Sequence, residues 1–278
     1  KQLTSDLQAQ SNEKVPLFIG IDEEGGDVVR MAEKLTPPPS QKEIGATGDI
    51  EQAKTWAIKT AKSLKDMGIN VNFAPVADVG SNDKRSYSID TNTVIDFVRA
   101  ATEGYQQENI IYSLKHFPGI GKGRVDSHVD SSSIDVAKEV LMAEDILPFK
   151  TIIDGNEPND YFILVSHLKY PALDEEYPAS LSSKIMTDLL RNELGYKGII
   201  ITDDMEMGAV ANHNDFRSIG VKAVKAGADI VLVCHEYKHQ QEVYLGLLDA
   251  VNSGEISQER IDESVKRIIK VKLLHLYQ

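Results

Sequence analysis

The residues best suited to chemistry lie between 115 and 128, where Lys115 and His116 end an apolar stretch and a glycine-rich loop leads to Asp126-Ser127-His128. A charged strand end that opens into a glycine-rich loop is a common place for catalytic groups. Asp126 and His128, two residues apart, can form a carboxylate–imidazole pair in which the carboxylate sets the tautomer and the basicity of the ring. This pair is the candidate proton-transfer device of the sequence.

Other interpretations of the loop are weaker. The run Gly119–Gly123 has the glycine content of a phosphate-binding loop, but a Walker loop requires Ser or Thr directly after Gly-Lys, and Gly123 follows Lys122. A dinucleotide-binding loop would open a helix at once, whereas residues 124–128 show no helical periodicity. The remaining alternative is a purely structural loop in which Asp126 caps a turn.

The charge and composition of the chain limit its partners. The 278 residues carry a formal net charge of −13, which argues against nucleic acid and anionic membranes because both attract basic surfaces. No apolar run approaches the roughly 18 residues that a membrane span needs. Cys234 is the single cysteine, so no internal disulfide can form. The sequence starts at Lys1 without a visible signal peptide, and it leaves open the oligomeric state and the compartment, which could be the cytoplasm, the cell envelope or the medium.

Short apolar runs alternate with longer amphipathic segments, which predicts a parallel α/β fold. Most of the runs are nearly continuous Val, Ile, Leu and Phe, as in parallel strands buried on both faces. The predicted strands lie in Val15–Asp22, Val71–Val79, Ile110–His116, Tyr161–His167, Gly198–Asp204 and Ile230–His235. The predicted helices include Ile50–Met67, Ser182–Leu194, Gly220–Ala226 and Ile256–Leu276, the last with Ile261, Val265, Ile268 and Val271 on its buried stripe.

The distribution of polar residues distinguishes between the two parallel α/β architectures. Reactive residues follow nearly every predicted strand: Asp22-Glu23-Glu24, Asp78, Lys115-His116, Ser166-His167, Thr202-Asp203-Asp204 and Cys234-His235. A barrel gathers chemistry on the carboxyl ends of many strands, whereas an open sheet concentrates it at one switch point. The sequence therefore predicts a TIM-like (β/α) barrel that forms a single domain over residues 1–278. Because only six strands are found where a barrel has eight, we expect two strands to precede Lys1.

Taken together and in order, the strand-end motifs resemble those of the glycoside hydrolase family 3 β-N-acetylglucosaminidases. The resemblance runs from about Pro16 to about Leu276. Its motifs are Ile21-Asp-Glu-Glu-Gly-Gly followed by Arg30, Asn72-Phe-Ala-Pro-Val-Ala-Asp-Val, Lys115-His-Phe-Pro-Gly with Asp126-Ser-His, Ser166-His-Leu-Lys-Tyr-Pro, Pro178-Ala-Ser-Leu-Ser, Gly195-Tyr-Lys-Gly and Thr202-Asp-Asp-Met-Glu-Met. Ile120 and Asp27 depart from the family pattern, where His and Arg are common, and neither departure touches a catalytic role.

The resemblance implies a retaining glycosidase that releases terminal β-linked N-acetylglucosamine, without a cofactor or a metal ion. Asp203 would be the nucleophile that attacks the anomeric carbon, and His128, oriented by Asp126, would be the general acid/base. The side chains that would hold the sugar hydroxyls and the N-acetyl group are Asp22, Arg30, Arg85, Lys115 and His116. Such an enzyme needs a carboxylate nucleophile and a proton donor at the leaving oxygen, and histidine can supply the proton at neutral pH.

The length of the chain favours the N-acetylglucosaminidases over the β-glucosidases of the same family. The β-glucosidases generally carry a second domain that supplies their acid/base residue. This sequence ends at Gln278, just after the last predicted helix, so we expect no second domain. The acid would then come from the barrel itself, with His128 as the candidate.

Two rival functions stay open. A metal-dependent barrel hydrolase is suggested by five metal-binding residue types at the carboxyl ends of the predicted strands: His116, His128, His167, His235 and Asp203. No three of them have the tight spacing that is typical of metal ligands. A non-catalytic sugar-binding barrel is suggested by the incomplete strand count. Individual residues also have structural alternatives. Asp203 could cap a helix that opens at Met205, and Lys115 and His116 could pair with neighbouring acids in the barrel mouth. His167 and His235 are interpreted as structural. The natural glycan (peptidoglycan fragment, chitin oligosaccharide or glycoprotein sugar) and the acceptor (water, sugar or phosphate) stay open as well.

Overall fold

The computed structural model describes residues 1–11, 15–80, 84–122 and 133–277, and these form a six-stranded parallel sheet flanked by helices. The strands are β1 (Gly20–Ile21), β2 (Val71–Asn72), β3 (Ile111–Phe117), β4 (Tyr161–Val165), β5 (Ile199–Asp204) and β6 (Ile230–Leu232). Each strand pairs with the next one in chain order. All six predicted strands are therefore confirmed, and the curled parallel sheet has the architecture of a half-barrel. The two strands expected before Lys1 stay a prediction.

Helices connect the strands, mostly as amphipathic segments. The α-helices are α1 (Gln2–Gln10), α2 (Gln41–Ala46), α3 (Glu51–Asp66), α4 (Thr91–Gln107), α5 (Lys138–Val140), α6 (Leu147–Gly155), α7 (Gly208–Ala211), α8 (Phe216–Ala226), α9 (Tyr237–Asn252) and α10 (Gln258–His275). Leu141–Asp145 and Lys184–Glu193 are π-helical, and Ala179–Leu181 is a 3-10 turn. The four predicted helices are thus confirmed to within about one turn, one of them in π-helical form. No helix in the described ranges has the length and apolar character needed to cross a membrane.

Both faces of the sheet are buried, and successive side chains of a strand point to opposite faces. One face contributes Tyr112, Leu114, Tyr161, Ile163, Val165 and Ile200 to the core beneath the outer helices. The other face contributes Val71, Ile111, Phe162, Leu164, Ile199 and Ile201, which pack with Val271 of α10. Burial on both sides explains why the strand sequences are almost uninterrupted apolar runs. The same alternation places Lys115 on the face of Ile111, and Asp203 on the face of Ile201, so both candidate residues project from the α10 side of the sheet.

The buried stripe of α10 differs from the prediction in one position. Ile268 and Val271 pack on the strands, as predicted. Val265 was predicted to be buried, but it is 47% exposed. The prediction was wrong because Val265 lines an open groove between α9 and α10, together with Tyr244 and Val243 of α9.

A buried ion cluster holds α10 against the sheet, at the amino ends of the strands. The side chain of Asp229 is fully buried and accepts hydrogen bonds from Ile200 N at 2.9 Å, Ser264 Oγ at 2.6 Å and Arg267 Nη1 at 2.9 Å. Arg191 and Arg260 pair with the same carboxylate. One acid therefore serves three guanidinium groups, two of them on α10.

We expect Asp229→Ala to lower the free energy of unfolding by about 3–5 kcal/mol, because it removes the carboxylate that three partly buried arginines share. Urea denaturation measures the change. Asp249→Ala is the matched control: it also breaks an Asp–Arg pair, with Arg217, but at an exposed site, where the loss should be small. Equal losses in the two variants would contradict a special role for the buried cluster.

Candidate active site

Four side chains of the predicted site meet at the carboxyl ends of β1, β2 and β3. Lys115 Nζ lies 2.6 Å from Asp22 Oδ1 and 2.5 Å from Glu24 Oε1. Arg85, from the loop after β2, donates to both oxygens of Glu24, from Nε at 2.9 Å and from Nη2 at 2.8 Å. Arg85 Nη2 also lies 3.0 Å from His116 Nε2. The structure therefore joins Asp22, Lys115, Arg85 and His116 through Glu24, and we call these five residues the polar cluster.

The ring of His116 is held in one tautomer. A guanidinium can only donate hydrogen bonds, so the Nε2 atom that faces Arg85 accepts and carries no proton. The ring proton then lies on Nδ1, which is 2.8 Å from Asp78 Oδ2. The other oxygen of Asp78 accepts from the backbone N–H groups of His116 at 3.1 Å and Ile120 at 2.9 Å. Asp78 is buried and so fixes the ring from the side opposite Arg85.

Glu24 is ionised although it is buried. Burial alone would raise the pKa of its carboxyl, but Lys115, Arg85 and, less strongly, His116 outweigh this effect and lower the pKa from 4.5 to about 2. For Lys115, burial alone would lower the pKa of the ammonium, yet Glu24 and Asp22 raise it above its usual value. Glu24 and Lys115 therefore keep their opposite charges throughout the neutral pH range.

The low pKa of Glu24 predicts a loss of stability in acid. Its carboxylate stabilises the folded state fully above about pH 4.5, and this contribution is lost as the pH falls towards about 2. A pKa difference of this size corresponds to about 3 kcal/mol. We expect Glu24→Gln to flatten the pH dependence of the free energy of unfolding across this window, as measured by urea denaturation. Glu103→Gln, which breaks the exposed pair with Lys54, is the control. If Glu24→Gln kept the wild-type pH dependence of the free energy of unfolding, the lowered pKa of Glu24 would be contradicted.

The two acids at the end of β5 have different surroundings. Asp204 is buried, and its Oδ1 accepts from the backbone N–H groups of Glu206 and Cys234, both at 3.1 Å. Its Oδ2 lies 3.1 Å from His235 Nε2. These contacts tie the loop after β5 to the segment after β6. Asp203 accepts from its neighbour Asp204 N at 2.8 Å, and no ion pair joins it to another residue in the described part of the chain.

The carboxyl of Asp203 is suited to a nucleophile. Burial alone would raise its pKa, but the rings of His116 and His167, the N–H of Asp204 and the charge of Lys115 together hold the pKa below its usual value. An ionised carboxylate without a direct ion pair can attack an electrophilic carbon. The helical cap considered for Asp203 is wrong, because the next helix, α7, begins at Gly208.

The rim histidines differ in their exposure. His167 is buried; its Nε2 donates to the carbonyl oxygen of Asp204 at 2.8 Å, and its Nδ1 lies 2.7 Å from Ser180 Oγ. Both ring nitrogens thus have partners, as a structural role requires, and burial lowers the pKa of the ring. His235 is largely exposed and contacts Asp204. Within the described ranges, no three His, Cys, Asp or Glu side chains are arranged to hold a metal ion.

The remaining predicted residues do not join the polar cluster. Arg30 lies on the loop after β1, where its backbone N–H donates to Glu23 Oε2 at 2.9 Å. As far as the structure describes the chain, the guanidinium of Arg30 makes no hydrogen bond with another candidate residue. Asp126 and His128 fall between residues 123 and 132, outside the described residues, so their pairing stays a prediction.

Glu24 and Asp78 were not assigned a role from the sequence. A signal for Glu24 was present, because Asp22 and Glu24 are two residues apart at a strand end and therefore share a side. Glu23 between them turns instead to the backbone N–H groups of Arg30 and Met31. The contact between Asp78 and His116 depends on how the ends of β2 and β3 align, which the spacing along the chain does not reveal.

The chain matches known proteins over nearly its whole length. The model of the glycosyl hydrolase family 3 N terminal domain matches residues 1–271. Beta-hexosaminidase A of Pseudoalteromonas piscicida is 35% identical over 97% of this chain and 50% of its own. The Beta-hexosaminidase of Nitrosomonas eutropha is 30% identical over 95% of this chain and 78% of its own.

Solved structures show the same similarity in fold. A glycoside hydrolase family 3 β-N-acetylglucosaminidase from a Paenibacillus species has a TM-score of 0.93 and 37% identity, covering 98% of this chain and 53% of that protein. A family 3 member from Mycobacterium smegmatis has a TM-score of 0.89 and 30% identity, covering 96% and 82%. The chain spans about half the length of the Pseudoalteromonas and Paenibacillus proteins. Sequence and fold thus agree with the strand-end motifs, and the chain belongs to glycosyl hydrolase family 3, whose N-terminal domain it matches.

Proposed function

We propose that the chain is the catalytic domain of a retaining β-N-acetylhexosaminidase that releases terminal β-linked N-acetylglucosamine. The observation that carries the proposal is the placement of Asp203, a half-buried carboxylate without a direct ion pair among the described residues, on the same side of the sheet as the polar cluster. Relatives of this chain over most of its length bear the names β-hexosaminidase and β-N-acetylglucosaminidase. A glycosidase that acts on N-acetylglucosaminides accounts both for the placement of Asp203 and for the names of the relatives.

The polar cluster has the chemistry of a sugar-binding site. Charged donors and acceptors bind hydroxyl groups through charge-assisted hydrogen bonds, and fixed positions make such binding specific. The side chain of Asp22 is 37% exposed, whereas Lys115 beneath it is almost fully buried. Asp22 can therefore accept from a sugar hydroxyl while Lys115 holds its other side. Arg85 and His116 would bind further groups of the same sugar, and Arg30 would join them from the loop after β1.

The proposed reaction has two steps at the anomeric carbon. In the first, an oxygen of Asp203 forms a bond to this carbon, the bond to the leaving oxygen breaks, and that oxygen takes a proton from His128. In the second, His128 removes a proton from water, the water oxygen attacks the anomeric carbon, and Asp203 is released as a carboxylate. Asp126 would orient the ring of His128 throughout. Two displacements give net retention of the β-configuration.

Two finer points belong to the proposal. Peptidoglycan fragments are the proposed natural substrates, with chitin oligosaccharides and glycoprotein sugars as the alternatives to be compared in the same assay.

The barrel is proposed to be completed by two further strands, because β1 and β6 each pair with one strand only among the residues that the structure describes. Unpaired sheet edges are a liability that closed barrels avoid.

The decisive assay is turnover of 4-nitrophenyl N-acetyl-β-glucosaminide, with proton NMR of the first-formed sugar and with a chelator added in parallel. We expect turnover with retention of configuration and no effect of the chelator. Absence of turnover would favour a non-catalytic sugar-binding barrel. Activity that the chelator abolishes would favour the metal-dependent hydrolase.

A further inference from the structure

We infer that Glu24 is a positioning residue of the sugar site: it fixes Lys115 and Arg85, and through Arg85 the ring of His116, without contacting the sugar itself. The inference rests on the proposed function for the identity of the ligand. Its structural basis is the central place of Glu24 in the polar cluster, where one carboxylate contacts two cations that come from different parts of the chain.

The geometry explains why Glu24 acts through its partners. Its Oε1 lies 2.5 Å from Lys115 Nζ and 2.8 Å from Arg85 Nη2, and its Oε2 accepts from Arg85 Nε at 2.9 Å. The side chain is only 2% exposed. Both oxygens are therefore engaged and shielded from a ligand, whereas the neighbouring Asp22 remains open to the site.

Charge explains why Glu24 is needed. Lys115 and Arg85 bring two positive charges to the same oxygen atom, and without a carboxylate between them these charges would repel each other. Asp22 also contacts Lys115, but its side chain is 37% exposed, so solvent and salt screen its charge more strongly than that of the buried Glu24. Asp22 cannot replace Glu24, so loss of the Glu24 charge would let both cations move.

The arrangement also reaches His116. Arg85 Nη2 contacts Glu24 Oε1 and His116 Nε2 at once, at 2.8 Å and 3.0 Å. Asp78 holds only the Nδ1 side of the ring. Release of Arg85 from Glu24 would therefore remove the donor at Nε2 while the Nδ1 contact persists.

The first test measures binding of N-acetylglucosamine to the full-length protein by calorimetry. We expect Glu24→Gln, which keeps the shape but removes the charge, to raise the dissociation constant roughly tenfold or more. Lys115→Met should also weaken binding, and the double variant should lose less than the product of the two single losses, because Glu24 acts partly through Lys115. Asp229→Asn, which alters a buried ion cluster far from the site, is the control: it should lower Tm and leave the dissociation constant unchanged.

The second test needs no ligand. In histidine-labelled protein, the ¹⁵N resonance of His116 Nε2, assigned by its loss in His116→Gln, reports the donor from Arg85. Glu24→Gln and Arg85→Gln should displace this resonance alike. Should Glu24→Gln not fold, Glu24→Asp, whose carboxylate is one methylene shorter, takes its place in both tests with the same expected direction.

An unchanged Nε2 resonance, or losses of binding that simply multiply, would overturn the positioning role. Failure of the wild-type protein to bind N-acetylglucosamine would instead count against the proposed function. The resonance comparison would then decide the role of Glu24 by itself.

Discussion

Asp203→Asn is expected to reduce turnover at least about a thousandfold while the fold stays intact. The amide has the shape of the carboxylate, and its oxygen can still accept the one described hydrogen bond, from Asp204 N at 2.8 Å. It lacks the charged oxygen that must form a bond to the anomeric carbon. Steady-state kinetics with the 4-nitrophenyl substrate, together with Tm, separates loss of chemistry from loss of structure.

Asp204→Asn is the matched comparison for this prediction. Asp204 holds the backbone of Glu206 and Cys234, so its substitution should affect stability more than the chemical step.

In an Asp203→Ala variant, added azide should restore part of the turnover and give a glycosyl azide of inverted configuration. The azide would attack the anomeric carbon from the face that the Asp203 carboxylate has left free. A loss below about a hundredfold for Asp203→Asn, with an inactive Asp204→Asn, would move the nucleophile to Asp204.

The strands were predictable from the sequence because both faces of the sheet are buried. Ile111 packs on the α10 side, and Tyr112 packs on the outer side, so consecutive positions are apolar and the runs are continuous. The meeting of Asp22 with Lys115 follows from a related argument: the carboxyl ends of all strands in a parallel sheet lie at one edge, and β1 and β3 are separated only by β2. Their distance of 2.6 Å bears this out.

Other features depend on contacts that one strand does not encode. The stripe position Val265 has helical periodicity, yet it is exposed because nothing in the described chain covers the groove between α9 and α10. The ionised state of Glu24 requires Arg85 and Lys115, which are distant in sequence. The sequence also contains a signal for α4, a helix outside the four predicted ones: Asp90 caps it by accepting from Thr93 N at 2.8 Å, and Val94, Phe97 and Val98 begin a buried face.

His128→Ala is expected to slow the first chemical step roughly a hundredfold or more when the leaving group is a sugar, the scale of general acid catalysis. A sugar hydroxyl departs poorly unless it receives a proton. A dinitrophenolate departs without one, so the same step should be nearly unaffected for the dinitrophenyl glycoside. Rapid-quench kinetics across a series of leaving groups measures this dependence.

The second step gives the same variant an independent signature. With the dinitrophenyl glycoside, the glycosyl-enzyme on Asp203 should form at the normal rate and then accumulate, because no base activates the incoming water. Mass spectrometry of the quenched protein would detect the added sugar. Asp126→Ala should show a weaker form of both effects, since Asp126 orients the ring but does not carry the proton. Equal losses for all leaving groups would mean that His128 shapes the pocket and that another residue transfers the proton.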